Sequence, residues 1–324
     1  MIKDLEIKNF KSIKHLKLDC KRINIFIGEP NTGKSNILEV FGLLSHCRHG
    51  HSSYGDFDKN FVRFENMTDL FFDGNINDKI EIRFDGKIFR VEYQEKQFKG
   101  FYNQKEVFSY DNTGRGTNSQ LSELEPFGFY RFGVRVDFPS QDLDFLRPPS
   151  GDNLLALLMA HKELKELSTK IFDKYGLKMV LRPQKNNIEL QKEIEGVIIA
   201  YPYSLVSDTL QRIIFYLVAI ETNKNFIVAF EEPEAHAFPY YTKYLAERIA
   251  LERSNNQYFI ATHNPYLLLS VLEKAHKDEV AIFITYFEDY QTKVKSLSEK
   301  DLEEIMGMGI DIFFNIERFL EVKE

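Results

Sequence analysis

Residues Gly28-Glu29-Pro30-Asn31-Thr32-Gly33-Lys34-Ser35 read G-x-x-x-x-G-K-S, and no other feature of the chain constrains its fold as tightly. The preceding Ile23-Asn24-Ile25-Phe26-Ile27 has the pattern of a buried strand. From Asn36 to Leu44, residues Ile37, Leu38, Phe41 and Leu44 recur on one helical face. Strand, glycine-rich turn and helix in that order form a phosphate-binding loop: successive N–H groups point into the turn, and the helix N-terminus adds roughly half a positive charge. In such a loop Lys34 reaches the β- and γ-phosphates of ATP and Ser35 ligates Mg2+. The candidate nucleotide-binding residues are therefore Gly28, Glu29, Pro30, Asn31, Thr32, Gly33, Lys34, Ser35 and Asn36.

The rest of the chain bounds the setting of that loop. Its 324 residues, 43% hydrophobic and 28% charged, suit a globular protein, and no apolar run is long enough to span a membrane. The start, Met-Ile-Lys-Asp-Leu-Glu, runs straight into a strand pattern rather than a signal peptide. Cysteines occur only at Cys20 and Cys47, which points to a reducing, cytoplasmic compartment. A net charge of −7 excludes a uniformly basic nucleic-acid surface but not a local patch. Residues 1–22 do concentrate lysines (Lys3, Lys8, Lys11, Lys14, Lys17, Lys21) and Arg22. They alternate with Leu5, Ile7, Leu16 and Leu18, so they form either the solvent side of two strands or a DNA-facing strip.

Periodicity divides the chain into three stretches of one domain. Residues 1–137 hold the loop and a β-rich lobe, 138–222 a helical lobe, and 223–324 a run of alternating strands and helices. Within the first, Asp85-Gly86 lies between alternating runs and predicts a hairpin with a type I′ turn, whereas 112–119 is polar and predicts a mobile loop. The joint from Phe138 to Gly151 holds three prolines. Helices are expected over 152–175, 205–221, 239–253 and 265–274, and strands at 188–190, 197–201, 226–231, 257–262 and 279–287. No sustained heptads, and hence no long coiled coil, are expected.

Four further motifs bear on chemistry. Phe226 to Phe230 is an apolar strand delivering Glu231 and Glu232. The first is placed to hold Mg2+ through a water and the second to polarise an attacking water; alternatively the acids simply favour a helix N-terminus. Thr262-His263-Asn264-Pro265 follows the next strand, where α/β sheets present ligand contacts, so His263 is a candidate γ-phosphate sensor. Ser204, Ser207 and Asp208 open a helix, as a phosphate-binding end or as an N-cap. His46-Cys47-Arg48-His49-Gly50-His51 has the residue types of a metal site. Its ligands are crowded at one helix end, however, and read better as a solvated loop or local anion contact than as zinc.

Taken in order, these motifs resemble the ABC-type ATPase head of the RecF/SMC/OLD branch (OLD, overcoming-lysogenization-defect). Ile7-Lys8-Asn9-Phe10-Lys11-Ser12-Ile13 looks like that branch's first strand, Glu231-Glu232-Pro233-Glu234-Ala235-His236 is similar to the OLD-type Walker B, and Ala261 to Pro265 resembles the histidine switch. The resemblance implies an α/β fold: a P-loop NTPase with a mostly parallel core sheet, an N-terminal antiparallel β subdomain and a helical subdomain carrying the signature motif. It also implies an ATPase in which Lys34, Glu232 and His263 are catalytic. Ser35 and Glu231 serve the metal, and Ser204 to Arg212, as the signature, contact ATP held by a second subunit in a homodimer. The signature lacks its usual glycine after Ser207-Asp208, Glu231 stands where Asp is commoner, and Gln141 is the candidate for the glutamine that couples nucleotide and metal to the helical lobe.

No toprim nuclease pattern and no D-x-D follow His263, and no arm is seen, so the output is expected through a separate effector protein or DNA. Three functional readings result: an ATP-driven dimerising switch, of a kind that occurs in prokaryotic defence; a DNA-binding repair or maintenance ATPase; and a transporter ATPase subunit. The last fits least, because a β-rich insertion separates the loop from the acidic strand.

Overall fold

The computed structural model describes residues 1–50, 54–124 and 126–320. Along the chain the elements are β1 (Asp4–Phe10), β2 (Ile13–Asp19), β3 (Ile23–Gly28), α1 (Lys34–His49), β4 (Gly55–Asp56), β5 (Ile80–Phe84), β6 (Lys87–Gln94), β7 (Gln97–Tyr102), β8 (Lys105–Tyr110), β9 (Arg115–Asn118) and β10 (Phe127–Tyr130). Then come α2 (Leu154–Ala160), α3 (Lys162–Asp173), β11 (Lys178–Arg182), β12 (Asn187–Ile194), β13 (Val197–Pro202), α4 (Asp208–Thr222), β14 (Ile227–Glu231), α5 (Pro239–Leu251), β15 (Gln257–Ala261), α6 (Pro265–Lys274), β16 (Val280–Glu288), β17 (Gln291–Ser296), α7 (Glu299–Met308) and α8 (Ile316–Leu320).

A six-stranded sheet, ordered β10-β14-β15-β3-β16-β17, organises the molecule. All its neighbours are parallel except β16 and β17. Because a parallel sheet is covered on both faces, its strands read as continuous apolar runs. The period-two alternation then divides each strand between two cores. Ile23, Ile25, Ile27, Val228, Phe230 and Ile260 face one core with the helices α2 to α6. Phe26, Ile227, Ala229, Phe259 and Phe283 face the other with α1 and a second sheet. Residues from β15 sit between the two: Tyr258 and Phe259 are both fully buried, in opposite cores.

The second sheet is eight-stranded, ordered β2-β1-β5-β6-β7-β8-β9-β4, with every paired neighbour antiparallel. At its centre the β5–β6 hairpin turns on Asp85 (φ 45°) and Gly86 (φ 77°), the paired positive φ of a type I′ turn. The stretch expected as a mobile loop, 112–119, instead contributes β9, which pairs with β8. Asp111 closes the tight turn before it by accepting from the backbone N–H groups of Thr113 and Arg115, so a polar composition here encodes a turn rather than disorder.

A third sheet, β11-β12-β13, forms between α3 and α4. The helix expected over 152–175 is broken into α2 and α3 at His161, whose extended backbone (φ −105°, ψ 118°) caps both. Among the described residues no helix is long and apolar enough to cross a membrane.

Candidate functional site

The turn between β3 and α1 is built from left-handed backbone. Asn31 (φ 64°) and Gly33 (φ 94°) both adopt it, and Gly28 has φ 152°. Glycine is needed for space as well as for conformation: a Cβ on Gly28 would lie 2.3 Å from the Thr285 carbonyl oxygen, and one on Gly33 would lie 2.0 Å from Thr292 Oγ1. Thr32 Oγ1 donates to the Glu29 carbonyl (2.8 Å) and meets Thr285 Oγ1 at 2.7 Å, tying the loop to β16. Lys34 Nζ folds back to donate to the carbonyls of Gly28 (3.0 Å) and Glu29 (2.7 Å). Burial pulls its pKa down to about 8, although the charges of Glu232 and Glu29 resist the shift.

In front of this loop lies a cavity of about 480 Å3 at the carboxyl ends of the parallel strands. Pro30, Asn31, Gly33, Lys34, Ser35 and Asn36 line one side, and Glu232, Ala261 and His263 another. Glu232 follows the last residue of β14 in left-handed backbone (φ 43°), its N–H donating to the Ala261 carbonyl (3.0 Å). Its carboxylate lies 3.6 Å from His263 Nε2. Burial first, and the Lys34 charge second, hold the His263 pKa below its ordinary value against the pull of Glu232. The ring is therefore neutral at pH 7 and able both to donate and to accept.

His263 is set by its neighbours. Thr262 N–H donates to the Phe26 carbonyl (3.1 Å), and Asn264 caps α6 by accepting from Tyr266 N–H (2.9 Å), with Pro265 at the first helical position. The Thr262 hydroxyl accepts from Asn264 N–H and donates to the buried carboxyl of Glu234. Burial raises that carboxyl to about 7, and its second oxygen is buried without a partner. In the sequence Glu234 is only one acid of the Glu231 to His236 segment, and nothing in its spacing announces burial.

Glu231 faces a different environment. Its two oxygens accept from Arg63 Nη2 (3.0 Å) and Arg131 Nε (2.6 Å). The same two arginines reach the fully buried Glu39 of α1, Arg63 Nε at 2.7 Å and Arg131 Nη2 at 2.9 Å, and Lys11 Nζ also donates to Glu39. Burial pushes the Glu39 pKa up, but the charges of Lys11, Arg63 and Arg131 outweigh it and hold the carboxyl below its ordinary value. Three cations thus face two carboxylates. Arg63 also lines the cavity, with Ser12 and Phe287. Glu39, Arg63, Arg131 and Phe287 do not stand out in the sequence: Glu39 reads as one more polar position of α1, and the other three are brought in from distant segments.

The remaining candidates fall elsewhere. Gly28, Glu29 and Thr32 shape the loop from behind: the two carbonyls hold Lys34, and the threonine bonds to β16. Gln141 does not reach the cavity. It sits on the exposed stretch 141–144 of the joint, its Nε2 donating to the Pro139 carbonyl at 3.5 Å. The joint is instead fastened to the start of α2 by Ser140 N–H on the Asp152 carbonyl and by Asn153 on the Asp142 carbonyl. The expected metal-side role of Gln141 therefore has no geometry to support it. Ser204 and Ser207 also lie outside the loop cavity of their own chain. Ser207 borders a separate apolar cavity of about 540 Å3, and its side chain makes no cap bond to α4.

The His46 to His49 segment is not a solvated loop, because α1 continues through it. His46 Nε2 meets Tyr110 Oη at 2.9 Å and its ring stacks on Phe57, and Cys47 is fully buried. Arg48 donates to the Ser122 and Leu124 carbonyls. No metal-holding cluster occurs among the described residues, and His51 lies outside them.

Residues 1–129 match the AAA ATPase domain family. A segment of 64 residues is 39% identical to the DNA replication and repair protein RecF of Lactococcus lactis subsp. cremoris, covering 19% of this chain and 17% of that protein. A segment of 88 residues is 33% identical to an ATP/GTP phosphatase of Helicobacter pylori, covering 25% of this chain and 24% of that one. Each of these sequence matches thus spans a quarter or less of the relative's own length.

Over nearly the whole chain the fold is similar to the SmcHead bound to the C-winged helix domain of ScpA, with TM-score 0.60, 17% identity, 94% of this chain and 99% of that one covered. It is also similar to an Smc head domain with an extended coiled coil, bound to the C-terminal domain of ScpA derived from Pyrococcus furiosus, with TM-score 0.57, 15% identity, 95% and 98% covered. No long coiled coil is present among the described residues. Residues 1–129, with the phosphate-binding loop, thus match an ATPase domain, and nearly the whole chain shares the fold of SMC heads.

Proposed function

We propose that this chain is a nucleotide-driven switch that binds ATP in front of the Gly28–Ser35 loop, hydrolyses it and pairs with a second copy when loaded. The convergence of Lys34, Ser35, Glu232 and His263 on one cavity supports this reading above all. Two of these residues come from α1 and two from the ends of different strands, and no structural need of the fold brings a base, a cation and an imidazole to one opening.

The residues present suit magnesium with a triphosphate. The Ser35 hydroxyl would be its direct donor, and Glu231, already held by two arginines, would act through a water. Bound there, the ion would neutralise charge on the β- and γ-phosphate oxygens. The chain's own contributions follow from geometry. Lys34 leaves the loop carbonyls for the phosphates, exchanging two neutral acceptors for anionic ones, which also restores its pKa. Glu232, half-exposed at the cavity wall, accepts the proton of the attacking water. Neutral His263 beside it orients that water or the terminal phosphate. Ser204 and Ser207 lie outside the cavity of their own chain, so their contribution is assigned to the second copy's nucleotide. The output passes to a separate effector or to DNA, in a setting such as prokaryotic defence.

The test is Glu232→Gln. The variant should bind ATP as the wild type does, lose turnover by at least about 100-fold, and elute as a dimer only with ATP. Wild-type turnover would remove Glu232 as the base. A second reading, a DNA-maintenance ATPase, draws on the RecF segment and on the lysines of β1 and β2. In the same experiment, salt-sensitive duplex binding by the ATP-locked form alone would favour it.

A further inference from the structure

We propose that Arg131 is a positioning residue that ties the metal-side carboxylate to both the P-loop helix and the signature helix, so that nucleotide loading is felt in the helical lobe. The inference rests on the ATPase reading of the cavity and adds a residue that the motifs do not contain.

Arg131 follows the last residue of β10, which pairs in parallel with β14. Its Nε donates to Glu231 (2.6 Å), its Nη2 to Glu39 (2.9 Å) and its Nη1 to the Asn60 carbonyl (3.1 Å). A planar fork with fixed donors holds two carboxylates on different elements in one set orientation, whereas a lysine presents its three donors from a single nitrogen on a flexible stem. The backbone continues the link. Arg131 N–H donates to the Pro149 carbonyl, at the joint leading to α2. The next residue, Phe132, lies under the Arg212 guanidinium of α4, 4.6 Å from its ring centre. Phe132 N–H also donates to Tyr216 Oη of α4 (3.4 Å), and that hydroxyl donates to the Glu231 carbonyl (3.2 Å). Two consecutive residues therefore touch the P-loop helix, the acidic strand and the signature helix.

When a triphosphate enters, Glu231 and the cavity-lining Arg63 face new charge, and a displacement of Glu231 moves Arg131 and with it Phe132 against α4.

The experiment is hydrogen exchange with and without magnesium and a non-hydrolysable ATP analogue, at a concentration where sizing shows only monomer. In the wild type, exchange should slow in the P-loop helix and change in 208–216. In Arg131→Met, with the analogue at saturation, the P-loop helix should still respond while the response in 208–216 is lost. Glu39 keeps Lys11 and Arg63 in that variant, so the fold has its charges paired. Arg131→Lys should behave as Arg131→Met does, and Phe132→Leu, which leaves the charge cluster whole, should weaken the response in 208–216. An undiminished response in Arg131→Met, or a wild-type P-loop response with none in 208–216, overturns the proposal alone. Absence of any P-loop response in the wild type removes the ATP site and this proposal together.

Discussion

At the residue scale the site joins groups whose charges are set by burial as much as by partners. Glu234 is the clearest case. Its carboxyl titrates near 7 in the folded chain against an ordinary 4.5, because burial disfavours the anion more than the Thr262 hydroxyl supports it. The folded state therefore binds more protons than the unfolded one between those values. The stability contributed by this group is complete below about pH 4.5 and is lost as pH rises through 7, by roughly 3 kcal/mol in all. Glu234→Gln keeps an acceptor for Thr262 and removes the ionisation. It should unfold at a higher temperature than the wild type at pH 8 and match it near pH 5, with the difference opening between those values in thermal melts. Equal pH dependence of the two proteins would mean that the carboxyl is hydrated.

At the scale of elements, what the sequence discloses depends on whether the signal is local. The β3–loop–α1 unit, the β5–β6 turn at Asp85-Gly86 and the Asn264-Pro265 start of α6 are each written within a few consecutive residues by conformational preference, and each is where the sequence puts it. Arg131 is not, because its significance comes from β10 pairing with β14, about a hundred residues later, and no periodicity records which strands become neighbours. Gln141 misled for the complementary reason: a residue type chosen from a motif carries no information on where its segment packs. The region 112–119 shows a third limit, since turn-forming residues read alike in a hairpin and in a loop.

Strand β13 extends the point. Its Val197, Ile198 and Ile199 would be read as core, yet Ile198 is 64% exposed on an edge strand. An open row of backbone donors with apolar side chains invites pairing between chains. Ile198→Lys should reduce light scattering on heating while shifting stability by no more than about 0.5 kcal/mol, as expected of an exposed position. Unchanged scattering would show that this edge does not pair.

For the whole molecule, the decisive feature is that one sheet serves two cores. Strand β3 sends Ile25 to the helical side and Phe26 to the side of α1, and β15 does the same with Tyr258 and Phe259. Melting either core would strip one face from the six-stranded sheet and leave its alternate residues in water. At about 1.5–3 kcal/mol for each large apolar side chain exposed, the loss over these strands exceeds the stability of any half-structure. The two sides should therefore unfold together despite the length of the chain.

The cavity in front of the Gly28–Ser35 loop lies on this shared sheet, with walls formed by α1 from one side and by the ends of β14 and β15 from the centre. A ligand bound there raises the stability of everything that must break to open the cavity. ATP with magnesium at about 100 times its dissociation constant adds about 2.7 kcal/mol. In scanning calorimetry of Glu232→Gln, where ATP persists, a single transition should move upward as a whole. Protease sites in the eight-stranded sheet and in the helices around α4 should become protected in parallel. Two transitions of which ATP moves only one would show that the cores are separable, and that a signal at the phosphates stops at the sheet instead of crossing it.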